Sequence, residues 1–478
     1  MPTILGAGDS SSGYEIDNGL LFNGANQYMT HTRGTATDEK LFTFSAWVKL
    51  GQAGVLENGT IFGSGDDGNG YTGDMLAIQT NGLIKQGDHD GSTDNHNVRT
   101  NAVLRDPAAW YHIVVAADST QGTSSNRIKL YINGTQQTDL ATTTYPSQNI
   151  TFDCNTSGQV LNIGRSQNGE NHTYWDGYMA EINFIDGQQL APSNFAESND
   201  NGIWVPKLYA GTYGNNGFFL EFQQTGTSAN SSGIGADTSG NDNHFAVPNL
   251  GANSPTLDTP TNNYCVLNQL YKATTGSTAR PTISSGNIAV ARVADASTQS
   301  TFGMASGKWY FEVRYNSGQV DGYPQIGYSK SGGINAGEMV GFHTPSGSNY
   351  RGKIASTVVA NAFDGTISSN DILGFYMNID DGTLIVHKNG SDFMGSGASS
   401  GLDFSSTSFS NDTGFFHVHY NTNANSAHSE DFNFGGAVSF TVSSANADAN
   451  GHGKFEYNPT ISSTNYYAIN SKNLAEFG

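Results

Sequence analysis

Along most of the chain apolar and polar residues alternate with period two, in short runs closed by Gly, Asn or Asp, and helical periodicity is almost absent. In "FTFSAWVKL" Phe42, Phe44, Ala46 and Val48 fall on one face of a strand, and Thr43, Ser45, Trp47 and Lys49 on the other. In "YHIVVAAD" His112, Val114 and Ala116 oppose Ile113, Val115 and Ala117. Both faces are apolar there, the pattern of a central strand covered on two sides. "IKLYING" (Ile128–Gly134) is a strand running into an Asn-Gly turn. "DILGFYMNIDDGTLIVHKNG" (Asp371–Gly390) places two strands around Asp381-Gly382, a dipeptide favoured in two-residue hairpin loops, and turns again at Asn389-Gly390. Many short strands without crossover helices predict an all-β protein: two antiparallel β-sandwich domains of jelly-roll type in tandem, with little helix.

The 478 residues suffice for two or three domains. The expected division is a first sandwich over 1–205, a Gly/Ser/Asn-rich connector over 206–260, a second sandwich over 261–440 and a polar tail over 441–478. Within the connector Phe245, Val247 and Leu250 are placed to pin it down, and the tail could pack back or dock on a neighbour. Charged residues make up only 13%, about half the usual share, and polarity comes from Ser, Thr, Asn and 59 glycines. With 26 Phe, 22 Tyr and 5 Trp the chain does not resemble a disordered one. A net charge of −21 would repel a phosphate backbone, so nucleic acid is excluded as a partner. Cys154 and Cys265 fit two free thiols or buried small residues rather than a disulfide framework. The opening "MPTILGAGDSSSGYEIDNG" lacks the regions of a secretory signal and no run has the length of a membrane span, so folding in a cytoplasm is expected.

"GYMAEINFIDG" raises the question of catalysis. On strict alternation Tyr178, Ala180, Ile182 and Phe184 share the core face, Glu181 is a solvated strand residue and Asp186 a turn residue. In a continuous strand the two acids would lie on opposite faces, about 16 Å apart at roughly 3.3 Å per residue. Glycosidases need their carboxyl pair within about 5–9.5 Å. The acidic i,i+2 pairs Glu15/Asp17 and Asp88/Asp90 lack a following glutamate at the spacing of one-strand glucanase motifs, so the expectation is a non-enzyme.

Other chemistry is sparse. The loops "GSGDDGNGYTGD" and "GDHDGSTDNHN" are rich in oxygen donors, and Asp66, Asp67, Asn69 and Asp74 form the candidate calcium set, though without EF-hand spacing; no other cofactor is expected. His89, His96 and His112 do not fall into a ligand spacing, and His417 and His419 fit a solvated strand face. Tyr71, Tyr174, Trp175, Tyr323 and Tyr350 are the candidate ligand-stacking aromatics, with an edge-core role competing at the Tyr174-Trp175 junction.

The ordered set "GLLFNGANQYMT", "LFTFSAWVKLG", "AAWYHIVVAAD", "IKLYINGTQ", "LNIGRS" and "WDGYMAEINFIDGQQLAPSNF" resembles the concanavalin A-like, laminin G-type jelly-roll. That resemblance implies two packed antiparallel sheets in a family known for binding carbohydrate and, in many members, calcium. "SGKWYFEVRYNSGQVDGYPQIGYSKSGG" followed by "NDILGFYMNIDDGTLIVHKNG" resembles the SPRY domain, an interaction module that binds through loops at one end. Here those loops would be 317–324, 343–352 and 420–428.

The tandem arrangement resembles virion proteins of tailed bacteriophages. It implies a non-enzymatic structural protein, made in the host cytoplasm and displayed on the particle as a tail fibre, knob or capsid decoration. Such a protein would bind host-surface glycans or adapt virion parts, with other virion proteins as partners and homo-oligomerisation expected. A virion polysaccharide depolymerase and a cellular carbohydrate-binding protein are the alternatives.

Overall fold

The computed structural model describes residues 13–478 except 52–58, 66–71, 80, 91–93, 168–171, 272–279, 292, 294–295, 317–324, 331–338, 344–349, 356, 408–412 and 420–428. Among the described residues the regular structure is nearly all strand, and the chain forms two compact units divided between Asn262 and Asn263.

The first unit is a sandwich. One sheet runs, in spatial order, Thr135–Gln136, Ile128–Ile132, Trp110–Asp118, Leu41–Leu50, Asp176–Asp186, Gly19–Asn23 and Pro255–Thr256, with Phe218–Leu220 also paired to Asp176–Asp186. The other runs Leu140–Thr144, Asp94–Val103, Leu83–Asp90, Thr72–Ile78, Gly59–Gly65, Val160–Ile163 and Met29–Thr32. Every ladder between these strands is antiparallel. Phe42, Phe44, Ala46 and Val48 enter the core between the sheets, with Ile113, Val115 and Ala117 from the neighbouring strand. Phe42 stacks on Phe184 at 5.5 Å and 3° and meets Phe152 edge-on at 5.1 Å.

Strict alternation fails in Asp176–Asp186. Glu181 and Ile182 together oppose Ala46, because Ala180 pairs with Trp47 and Asn183 with Ser45. This bulge inserts one residue and flips the parity of the strand before it. Met179, rather than Tyr178 and Ala180, therefore shares the core with Ile182 and Phe184. Tyr178 lies on the outer side, against Trp110 at 6.2 Å.

That outer side is roofed. Thr43, Ser45, Trp47 and Lys49 are all buried. Residues 206–260, expected as a connector, supply two strands to the sheet, and Phe245, Val247 and Leu250 join the core. Asp258 accepts from Lys49 Nζ at 2.7 Å and from Trp110 Nε1 at 3.0 Å, beneath the surface. Asp237 orders the chain before it, accepting from the amides of Phe219, Ser239 and Asn243.

The second unit repeats this scheme. Its larger sheet runs Thr282–Ser284, Ala289–Ala291, Ser429–Asn433, Lys308–Tyr315, Ile372–Asn378, Thr383–Lys388 and Ser391–Asp392. The smaller runs Ser297–Gln299, Gly414–His419, Gln325–Lys330, Met339–His343, Arg351–Ala355 and Thr357–Val359. Phe311 packs between them, on Phe375 at 4.7 Å and Phe416 at 4.4 Å.

On the other side of Lys308–Tyr315 the tail packs back on its own unit. Tyr467–Ala468 pairs in parallel with Trp309–Tyr310, and Ser471–Phe477 forms a helix whose N-terminal amide at Asn473 is capped by the Asn470 side chain. Glu312 accepts from Tyr310 Oη, Asn433 Nδ2 and the amides of Glu456 and Tyr457. Asp448 accepts from the amides of Asn450, His452 and Ala468 and from Asn473 Nδ2.

The Asn-Gly turns at 133–134 and 389–390 are two-residue loops with both φ positive, as their sequences demand. Asp381-Gly382 differs: Asn378 pairs with Thr383, so its loop has four residues. His417, expected on a solvated face, is fully buried beside Tyr271, and burial lowers its pKa to about 3. Both cysteines are free and buried. No helix among the described residues is long and apolar enough to cross a membrane.

Candidate functional site

The acids that raised the question of catalysis are neither solvated nor paired with each other by hydrogen bonds. Glu181 is 3% exposed, sits in the bulge at φ +53°, and receives the Tyr14 hydroxyl at 2.9 Å on both oxygens. Burial pushes its pKa up to about 8 against the pull of the Tyr14 hydrogen bond, with the nearby charge of Glu221 adding to the rise. Asp186 is a buried acceptor for the amides of Thr37 (2.6 Å) and Asn216 (3.0 Å) and for Asn155 Nδ2 (2.7 Å). It stitches the strand end to three loops.

A raised carboxyl pKa couples folding to pH. Glu181 in the unfolded chain would release its proton near pH 4.5, so between about 4.5 and 8 the native state holds a proton that the unfolded state has lost. This contribution makes stability fall as pH rises through that window. Glu181→Gln is expected to remove the fall, so that denaturation midpoints of variant and parent diverge towards pH 8. Parallel midpoint-versus-pH curves would rule out the assignment.

A serine–histidine pair also emerges on the roofed face. Ser45 Oγ lies 2.8 Å from His112 Nε2, and Trp204 Nε1 donates to His112 Nδ1 at 3.0 Å. The tryptophan makes Nδ1 the acceptor, so Nε2 carries the hydrogen and donates to the serine. That is the reverse of what a base-activated nucleophile needs. Burial also lowers the His112 pKa to about 3. The contact holds the strand Trp204–Pro206 to the sheet.

In the candidate calcium set Asp66, Asp67 and Asn69 lie outside the described residues, as does Tyr71. Asp74 is corrected: it is 1% exposed and points inward, with Oδ2 accepting the Cys154 amide at 3.1 Å and Oδ1 at 3.4 Å from His96 Nε2. Burial pushes its carboxyl well above the usual range and lowers His96 to about 4, which favours a neutral pair over a hard-cation ligand. No cluster of three or more His, Cys, Asp or Glu suited to a metal occurs among the described residues.

Of the aromatic candidates, Tyr323 lies outside the described residues, together with all of 317–324, 344–349 within the second loop, and 420–428. Tyr350 is corrected: it is a core residue at 4% exposure, stacked on Phe342 at 5.6 Å, with its hydroxyl accepting the Ile367 amide. Trp175 is corrected likewise, being fully buried in the sandwich core. Strand parity explains the contrast with its neighbour, since Tyr174 faces outward and is half-buried.

Tyr174 stands in a hairpin arm: Arg165 bridges to Tyr174, the Ser166 amide donates to Thr173 O, and the Trp175 amide donates to Gly164 O. A buried network supports the arm. Gln167 Oε1 accepts from Asn162 Nδ2 and, at 3.1 Å, from Arg165 Nη2. The Arg165 guanidinium lies over the Tyr28 ring, 3.9 Å from its centre. Tyr28 and Tyr174 are 6.4 Å apart at 54°, and His172 meets Tyr174 edge-on at 6.2 Å.

The result is a small aromatic platform fixed by a cation. Its rings can pack against C–H faces, and the phenol, imidazole and guanidinium edges can hydrogen-bond around them. Only Tyr174 was found from sequence. Tyr28 and Arg165 are remote from each other along the chain, and the available signal was the Asn-Gly at 168–169 between two short alternating runs.

The fold defines a class, the two-sheet antiparallel β-sandwich module. Residues 23–192 match the family model described as the concanavalin A-like lectin/glucanases superfamily. Among solved structures, a SAP-like pentraxin from Limulus polyphemus is 15% identical, covering 37% of this chain and 80% of its own, with a TM-score of 0.29. The SPRY domain of human HERC1 is 11% identical over 32% of this chain and 90% of its own, with a TM-score of 0.23. Domains LG4-5 of the mouse laminin alpha1 chain are 10% identical over 90% of both chains, with a TM-score of 0.30. Scores at this level bear on neither ligand nor partner. No curated protein matches the chain.

Proposed function

We propose that the chain is a non-enzymatic carbohydrate-binding structural protein, engaging host-surface glycans through the Tyr28–Tyr174 platform of its first unit. The observation that carries this reading is the platform itself, two tyrosines and a histidine set around Arg165 on a buried amide network. The match of residues 23–192 to a lectin/glucanase superfamily supports the ligand class. Display on a bacteriophage particle, as fibre, knob or capsid decoration among other virion proteins, rests on the sequence resemblance of the tandem arrangement.

Binding of the full-length protein to a glycan array tests the ligand. Tyr174→Ala is expected to weaken a specific signal about tenfold through the lost stacking surface. Its denaturation midpoint should move little, because the ring is half-buried. A blank array at high protein concentration would overturn the glycan reading. Mass spectrometry of purified particles tests the virion placement, which fails if the chain is confined to the lysate.

A further inference from the structure

At the edge of the first unit opposite Pro255–Thr256 the two sheets part. The strands Ile128–Ile132 and Thr135–Gln136 face Leu140–Thr144 across a cleft of about 190 Å³ that is open to solvent at its mouth. Its floor is the edge of the core itself, Val98, Ile128 and Leu130, each at most 2% exposed. Tyr145 forms a half-buried wall.

The rim carries amides and hydroxyls: Asn126, Gln136, Gln137 and Thr138. Of these side chains only Gln137 is committed, donating to Thr135 O on its own hairpin. In a chain of net charge −21 the lining contains no carboxylate, and Lys129 is its single charged residue.

We infer that this cleft is a second ligand site, for an uncharged saccharide terminus, formed by Tyr145, Gln136 and Thr138 over the floor of Val98, Ile128 and Leu130. At about 190 Å³ the cleft is smaller than a drug-sized pocket, which limits its occupant to a single sugar ring rather than a longer chain. Uncommitted amides and hydroxyls both donate and accept, which suits a ligand whose polar groups are all hydroxyls. The apolar floor and the tyrosine ring suit the C–H face of a sugar. An acidic sugar would meet one lysine and no arginine, far from the bidentate arrangement that anionic groups favour.

The site shares no residue with the Tyr28–Tyr174 platform, so the two can be separated in one experiment. Calorimetric titration of the full chain with glucose, galactose, mannose and N-acetylglucosamine would be compared across the parent, Tyr174→Ala, Tyr145→Ala and Gln136→Ala. Gln136 is exposed, so that variant keeps the fold if Tyr145→Ala does not. The expected result is a neutral sugar that still binds the Tyr174→Ala protein and binds about tenfold more weakly when Tyr145 or Gln136 is removed. Absence of neutral-sugar binding in the Tyr174→Ala protein, or binding indifferent to both cleft variants, overturns the inference. Binding lost only with Tyr174→Ala would do so while leaving the platform standing. Binding lost only with the cleft variants would support the cleft and count against the platform.

Discussion

Lys49→Met is expected to destabilise the first unit by about 3–5 kcal/mol, the cost of leaving one partner of a buried ion pair behind. Lys49 and Asp258 are 0% and 1% exposed at the side chain and 2.7 Å apart. Methionine fills most of the lysine's volume, so the loss is of charge compensation rather than packing. The Lys49→Met/Asp258→Asn double variant should recover part of the loss, since an amide does not demand a cation. Urea denaturation of the three proteins measures this. An unchanged midpoint for Lys49→Met would mean that Asp258 does not clamp residues 206–260 to the sheet.

Glu312→Ala should be as damaging in the second unit, by about 3–5 kcal/mol. It removes one acceptor from four donors, and each buried donor left without a partner costs about 1–3 kcal/mol before relaxation. Two of the four are amides at Glu456 and Tyr457, so the tail should loosen before the sheet melts. Amide hydrogen exchange at 454–468 should accelerate at denaturant concentrations where the Lys308–Tyr315 strand stays protected. Burial raises Glu312 to about 7 despite its donors, so its contribution falls as pH climbs from about 4.5 to 7. The parent should therefore lose part of its advantage over Glu312→Ala across that interval. Uniform exchange across the unit, or a pH-independent difference, would refute this account of the hub.

Period-two reading succeeded where a strand is regular and covered on both sides, as in Leu41–Leu50 and Trp110–Asp118. It failed at Asp176–Asp186 because a bulge carries no alternation signal: "YMAEINF" alternates cleanly in one phase, as if the strand were continuous, and the glutamate at φ +53° is a residue that seldom adopts that conformation. The segments 206–260 and 441–478 read as loop and tail because hydrogen bonds to Asp237, Asp258, Asp448 and Glu312 order them, not an apolar stripe. A buried carboxylate serving several backbone amides looks in sequence like any turn aspartate.

The candidate site was legible in the same uneven way. Tyr174 was identified, while the adjacent Trp175 was placed with it although neighbouring strand residues point to opposite faces. Tyr28 and Arg165 were missed because their partnership exists only after the sheet brings Met29–Thr32 beside Val160–Ile163. Tyr350 shows that an aromatic beside a Gly/Ser-rich loop can be core.

The parallel pairing of Tyr467–Ala468 with Trp309–Tyr310 has a consequence during synthesis. The first unit has every strand it needs once Asn262 has left the ribosome, and can close while the rest is still being made. The second unit must wait for residue 468, roughly 10–40 s later at about 5–20 residues per second. Through that interval Tyr310 and Tyr376 lack their roof and present an aromatic face to solvent. Translation speed and chaperone supply should therefore govern the yield of soluble chain more strongly for the second unit than for the first.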